Sequence, residues 1–143
     1  MKSILLILLS IYSLQAEFTK SNNIVTDTKT KLQWQDNITG APLKWQDSVS
    51  YCEALSLDGY NDWRLPNIIE LQSIIDRRNA NPAISSVFEN TKNKFYWSAT
   101  TRIHGFNTTA YNLGFSEGIL NNNFKLLTTN EDQRYIRCVR SEF

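Results

Sequence analysis

Two cysteines, Cys52 and Cys138, and one histidine, His104, are all the thiol and imidazole chemistry this chain can offer. Two cysteines allow a single pairing, and an oxidising compartment favours it. On the chain-entropy argument, a bond closing so long a loop stabilises the fold by about 4–5 kcal/mol. A reactive thiol pair or a metal site is the alternative, but neither the CxxC nor the Cys/His spacing those use is present. His104 stands in "RIHGF", beside Arg102 and Phe106. One histidine builds neither a His-rich metal site nor a histidine pair.

Carboxylates come next. Asp58 and Asp62 flank one turn, and Glu131-Asp132 sit in another. Such pairs suit glycoside cleavage, or calcium, which takes roughly six to eight oxygens. The calcium triplets of lectins are missing, and Asn61-Asp62-Trp63 runs in the wrong order for the Trp-Asn-Asp signature. Ser85, Ser86 and Ser98 lack a nucleophile elbow. Five scattered glycines make no phosphate loop. No catalytic residue, metal or cofactor is therefore assigned.

The chain opens on a stretch with the pattern of an export signal. "MKSILLILLSIYSLQAEF" has Lys2 as its positive start, a mostly apolar run from Ile4 to Leu14, and small Ala16. That run has the length of a signal-peptide core and is too short to span a bilayer. Cleavage after Ala16 and export to the periplasm or cell exterior are expected, with no lipid anchor and no stable membrane insertion. Of 143 residues, less 16, 127 remain, enough for one domain spanning 24–143 behind a flexible tail, 17–23. Removing Lys2 from 15 basic residues leaves 14 against 14 acidic, which gives no basic footprint for nucleic acid.

"IVTDTKTKLQWQD" reads as a hairpin, with Ile24-Val25 in one strand, a turn over Asp27 to Lys31, and Leu32 and Trp34 inward in the next. In "KWQDSVSYCEALSLDGY", Trp45, Val49, Cys52 and Leu55 or Ser56 recur at helical steps, and Gly59 is the expected stop. Trp63-Arg64-Leu65-Pro66 then opens a second helix. Pro66 holds the entry extended, and Asn67 with Glu70 has capping-box spacing. Trp63 and Leu65 should face the core, leaving Arg64 to pair with Asp62 or Glu70. Trp45, Trp63, Arg64, Leu65, Pro66, Asn67 and Glu70 are thus expected to be structural. Phe95–Arg102 predicts a strand, Ile103–Thr109 a loop or tight turn, and Ala110 onward a strand before a turn at Glu117-Gly118. A connection through "NNFKLLTTNEDQR" leads to a closing strand, "YIRCVR". Tyr135, Arg137 and Val139 face one side of it, and Ile136, Cys138 and Arg140 the other. Two helices followed by antiparallel strands make an α+β fold.

Four of these stretches resemble the Lcl C-terminal-like family, catalogued as a domain of unknown function: "VTDTKTKLQWQD", the run from "KWQDSVSYCEAL" through "GYNDWRLPNIIELQSIID", "YWSAT" and "YIRCVR". They occur in order over Ile24 to Arg140. The family includes the terminal domain of a collagen-like bacterial surface adhesin, similar to a glycan-binding module that recognises sulfated glycosaminoglycans. "WRLPNIIEL" is also similar to the helix entry of the sulfatase-modifying oxidases, whose fold is C-type-lectin-like. That likeness implies a C-type-lectin-like α+β fold with a cysteine on the first helix bridged to one on the last strand. The oxidases need a late cysteine pair, whereas only Cys138 is late here.

The leading expectation is a secreted, non-catalytic module that binds a glycan or an extracellular protein through its loops. Arg102, His104, Phe106, Asn107, Asn121 and Asn122 carry the cation, aromatic and amide groups that sugars use. A degenerate or unrecognised enzyme related to the oxidases and a self-associating structural subunit are the alternative functions. A monomer or weak oligomer is expected, since the adhesin's collagen stalk is absent.

Overall fold

The computed structural model describes residues 17–37, 40–105, 107–116, 127–128 and 132–142, with backbone alone at His104, Asn107, Thr108, Leu127 and Thr128. The expected leader, 1–16, and the turn at Glu117-Gly118 lie outside the described residues. β2 (Ile24–Asp27) and β3 (Leu32–Gln35) form the antiparallel hairpin that the alternation predicts. Asp27 makes the turn: its carboxylate accepts from the amides of Lys29 (2.9 Å) and Thr30 (3.3 Å) and from the Thr30 hydroxyl (2.8 Å).

The tail expected over 17–23 is instead a strand. β1 (Phe18–Ser21) pairs antiparallel with β2. Its two inward positions explain why so short and polar a segment stays down. Phe18 meets Phe88 edge-on at 5.4 Å, and Lys20 reaches Asp36 and Glu89, both at 2.7 Å. β9 (Val139–Ser141) joins the far side of β3, giving the order β1-β2-β3-β9. Arg64 continues that sheet by exchanging backbone bonds with Val139 at 2.9 and 2.8 Å.

α1 (Trp45–Ala54) follows β4 (Leu43–Lys44) directly and buries Cys52. It ends well short of Gly59, because Leu55 is already extended (φ −69°, ψ 127°). Asp58 (φ 49°) and Gly59 (φ 85°) form a two-residue hairpin turn, across which Leu57 and Tyr60 exchange two backbone bonds of 3.0 Å. The Asp-Gly pair is a hairpin signal that outweighs its reading as a helix stop. α2 (Ile68–Ser73) buries Leu71 and carries the predicted capping box.

β5 (Phe95–His104), β6 (Asn107–Gly114) and β7 (Leu127–Thr128) make the second antiparallel sheet, with a register shift between Trp97 and Thr101. The predicted loop over Ile103–Thr109 is therefore mostly strand: β5 and β6 continue to a tight connection that includes Gly105 (φ 62°). β8 (Gln133–Arg134) pairs with β4. The closing stretch is not one continuous strand; residues 136–138 lie between a bridge at Tyr135 and β9.

Two apolar clusters fill the interior. Val25, Trp34, Leu71, Ile74, Tyr96, Phe115 and Val139 centre one, and Cys52, Trp63, Leu65, Trp97, Ile136 and Cys138 the other. The architecture is α+β, with two helices, antiparallel sheets and one disulfide. Among the described residues no helix is long and apolar enough to cross a membrane.

Candidate functional site

Cys52 and Cys138 are bonded to each other, 86 positions apart, and both are fully buried. The bond ties α1 to the segment entering β9. Both cysteines of the chain are thereby engaged, so neither sulfur is a thiol.

The Trp63–Pro66 segment locks onto the same region. Trp63 and Leu65 are buried in the cysteine cluster, and the Trp63 indole donates to the Tyr60 carbonyl at 3.1 Å. Arg64 turns outward and grips Glu70 with two bonds, at 2.8 and 2.7 Å. Glu70 also accepts from the Asn67 amide, while the Asn67 side chain accepts from the Glu70 amide, both at 2.8 Å. Burial pushes the Glu70 carboxyl up, but Arg64 and the Asn67 amide outweigh it, and the group sits below the usual range. The Pro66 carbonyl accepts from Ala99 at 2.7 Å, and the Ile68 amide donates to Thr100 Oγ1 at 3.0 Å. Trp45 docks α1 on β5 through a 2.9 Å bond to the Ser98 carbonyl. All seven residues expected to be structural make such contacts or are buried.

Two arginines of the closing segment were missed as site-forming residues. Arg137 is fully buried, meets buried Asp36 at 3.0 Å, and donates to the Gln35 and Asn90 carbonyls and to Thr91. Burial pushes the Asp36 carboxyl up; the Lys20 bond and the Arg137 charge more than offset this, so it lies below its ordinary value. Arg140 holds Asp62 at 2.6 and 3.1 Å, bonds Gln33, and lies 3.8 Å from the centre of the Tyr60 ring. Alternation along "YIRCVR" puts both arginines beside core residues. A charge so placed needs a carboxylate, and that was the available signal.

Asp58 and Asp62 do not converge. Asp58 takes two bonds from Asn23, at 2.9 and 3.0 Å, and Asp62 belongs to Arg140. Among the described residues no three His, Cys, Asp or Glu side chains gather as metal ligands. Glu131, expected beside Asp132, lies outside the described residues.

The ligand candidates divide. Arg102 and Ile103 project from β5, both exposed, Ile103 at 77%. His104 ends that strand opposite Asn107 at the start of β6, so Arg102, His104 and Asn107 share one hairpin end. The Thr109 hydroxyl donates to the Arg102 carbonyl at 3.0 Å across it. Phe106, Asn121 and Asn122 lie outside the described residues.

Fold and site together define a disulfide-clamped α+β domain in which buried Arg137 and Arg140 are neutralised by carboxylates and β5 carries exposed Arg102 and Ile103. Residues 23–140 match the model of the Lcl C-terminal domain, and the chain belongs to that family. No curated protein and no solved structure matches it.

Proposed function

We propose that the chain is an exported, non-catalytic binding module of C-type-lectin-like fold that recognises a glycan or a surface partner through the end of the β5–β6 hairpin. The observation that carries this reading is the contrast along β5. Its root, Tyr96 to Ser98, is fully buried, while Thr101, Arg102 and Ile103 are exposed. A rigid root keeps the ordering cost of an exposed tip low on binding. An arginine next to an apolar residue offers the mixed contacts that sugars and protein surfaces use.

The state of the reactive groups supports a scaffold over a catalyst. Both sulfurs are bonded, and Asp36, Asp62 and Glu70 are each held by an arginine. The C-type-lectin-like assignment rests on the helix-to-closing-segment disulfide beside an antiparallel hairpin. A glycan array probed with the exported protein, with and without calcium, tests the function. Saturable binding to a discrete set of glycans is expected, and salt-sensitive binding to sulfated members would extend the family likeness to ligand choice. An array with no signal, together with turnover of any sugar or sulfatase peptide, would reject the reading.

A further inference from the structure

Away from that hairpin end, β4, the root of β5 and β8 converge. Leu43 pairs with Arg134, and the Tyr135 amide donates to the Phe95 carbonyl at 3.0 Å. Between these elements opens a cavity of about 310 Å³, lined by Pro42, Phe95, Tyr135, Lys94, Gln133 and Arg134. Its composition is lopsided: a proline and two aromatic residues, two cations and an amide, and no acid.

Arg134 is the anomaly. Arg64, Arg137 and Arg140, the other arginines at least half-buried, each close on a carboxylate, at 2.7, 3.0 and 2.6 Å. Among the described residues no carboxylate pairs with Arg134. Its Nη1 donates to the neighbouring Gln133 carbonyl at 2.6 Å, and its Nε is shut from water with no acceptor. The guanidinium is held 5.8 Å from the Phe95 ring and 6.0 Å from the Trp97 ring, near the limit of cation–π attraction. A cation partly stripped of water and left without an anion is costly unless something supplies the charge.

We propose that this cavity binds a small carboxylate carrying a flat apolar body, either a free aryl acid or the C-terminal aromatic residue of a peptide. Arg134 takes the carboxylate in the manner of Arg64, Arg137 and Arg140, and Lys94 adds a second positive charge at the exposed rim. Pro42, Phe95 and Tyr135 receive the apolar body. The volume lies at the small end of ligand sites, which run from about 300 to 1,000 Å³, and so selects a compact ligand. The inference stands independently of the hairpin reading.

The test is a two-dimensional NMR titration of the disulfide-intact protein with phenylacetate, N-acetylphenylalanine, its neutral amide, and acetate. Both aromatic carboxylates should shift the Arg134 Nε–H and Tyr135 amide signals saturably, and their relative strength tells a free acid from a peptide end. The neutral amide, lacking the charge, and acetate, lacking the ring, should each bind at least about tenfold more weakly. Arg134→Gln should weaken phenylacetate by a similar factor. Should that variant not fold, Lys94→Gln, at the exposed rim, should weaken it about threefold with an otherwise unchanged spectrum. Equal binding of the neutral amide, or no saturable shift at Arg134, would overturn the proposal. Binding indifferent to both substitutions would do the same.

Discussion

Asp36 and Arg137, 101 positions apart, meet at 3.0 Å with both side chains wholly closed to solvent. Asp36 also accepts from the amides of Glu89 (2.9 Å) and Asn90 (3.1 Å), and Arg137 lies 4.8 Å from the centre of the Phe88 ring. The pair therefore fastens the end of β3, the Phe88–Thr91 segment and the closing segment at one point. Breaking one partner leaves a buried charge uncompensated. Asp36→Ala should cost about 3–5 kcal/mol, read as a lower urea midpoint, while Asp36→Leu combined with Arg137→Met should recover much of that loss. Equal destabilisation in the single and double variants would refute the pairing argument.

Acid should loosen the protein in a definite window. Asp36, Asp62 and Glu70 all have carboxyls lowered on folding. The unfolded chain then takes up protons first, so stability is fully present above the ordinary carboxylate values of about 3.9 and 4.3. It is lost as pH falls through the lower folded values. The melting temperature should be flat from about pH 7 to 5 and fall below about pH 4. Glu70→Gln should flatten that acid limb; an unchanged limb would show that Glu70 takes no part.

The second helix depends on the residue that caps it. Asn67 accepts from the Glu70 amide at 2.8 Å, and α2 has only six residues over which to make up a lost cap. Asn67→Ala should cost about 1 kcal/mol, whereas Asn67→Ser should be nearly neutral. Chemical denaturation of the two variants measures the difference.

Reduction should weaken the fold without dispersing its core. Cys52→Ala with Cys138→Ala should lower stability by about 4–5 kcal/mol on the chain-entropy argument. Thiol labelling of the native protein should find none, and two should appear after reduction in denaturant. A native protein that labels at two sites would mean the sulfurs are separate.

Local signals were legible and distant ones were not. The Asn67–Glu70 cap, the buried Trp63 and Leu65 flanking outward Arg64, and the Cys52 stripe all follow from spacings within one or two turns of chain. Phe18 and Lys20 hide a strand inside a polar stretch, because their partners Phe88, Asp36 and Glu89 lie far along the sequence. Gln33 and Gln35 are buried although their types suggest surface. β3 is covered on both sides, and Gln35 meets that cost by accepting from the Cys138 amide at 3.1 Å. Gly59 had two local meanings, and the preceding Asp58 decided for the turn. "RIHGFNTT" reads as a loop because it lacks the alternation that marks a half-buried strand, and Arg102 and Ile103 are both exposed.

Binding by the exposed tip of the β5–β6 hairpin is tested most directly by comparing the protein with its Arg102→Ala, Ile103→Ser double variant on the same glycan array. Both side chains are exposed, so the melting temperature should hold within about 2 °C. The account predicts that the variant loses the array signal by tenfold or more. Undiminished binding by a folded variant would contradict it.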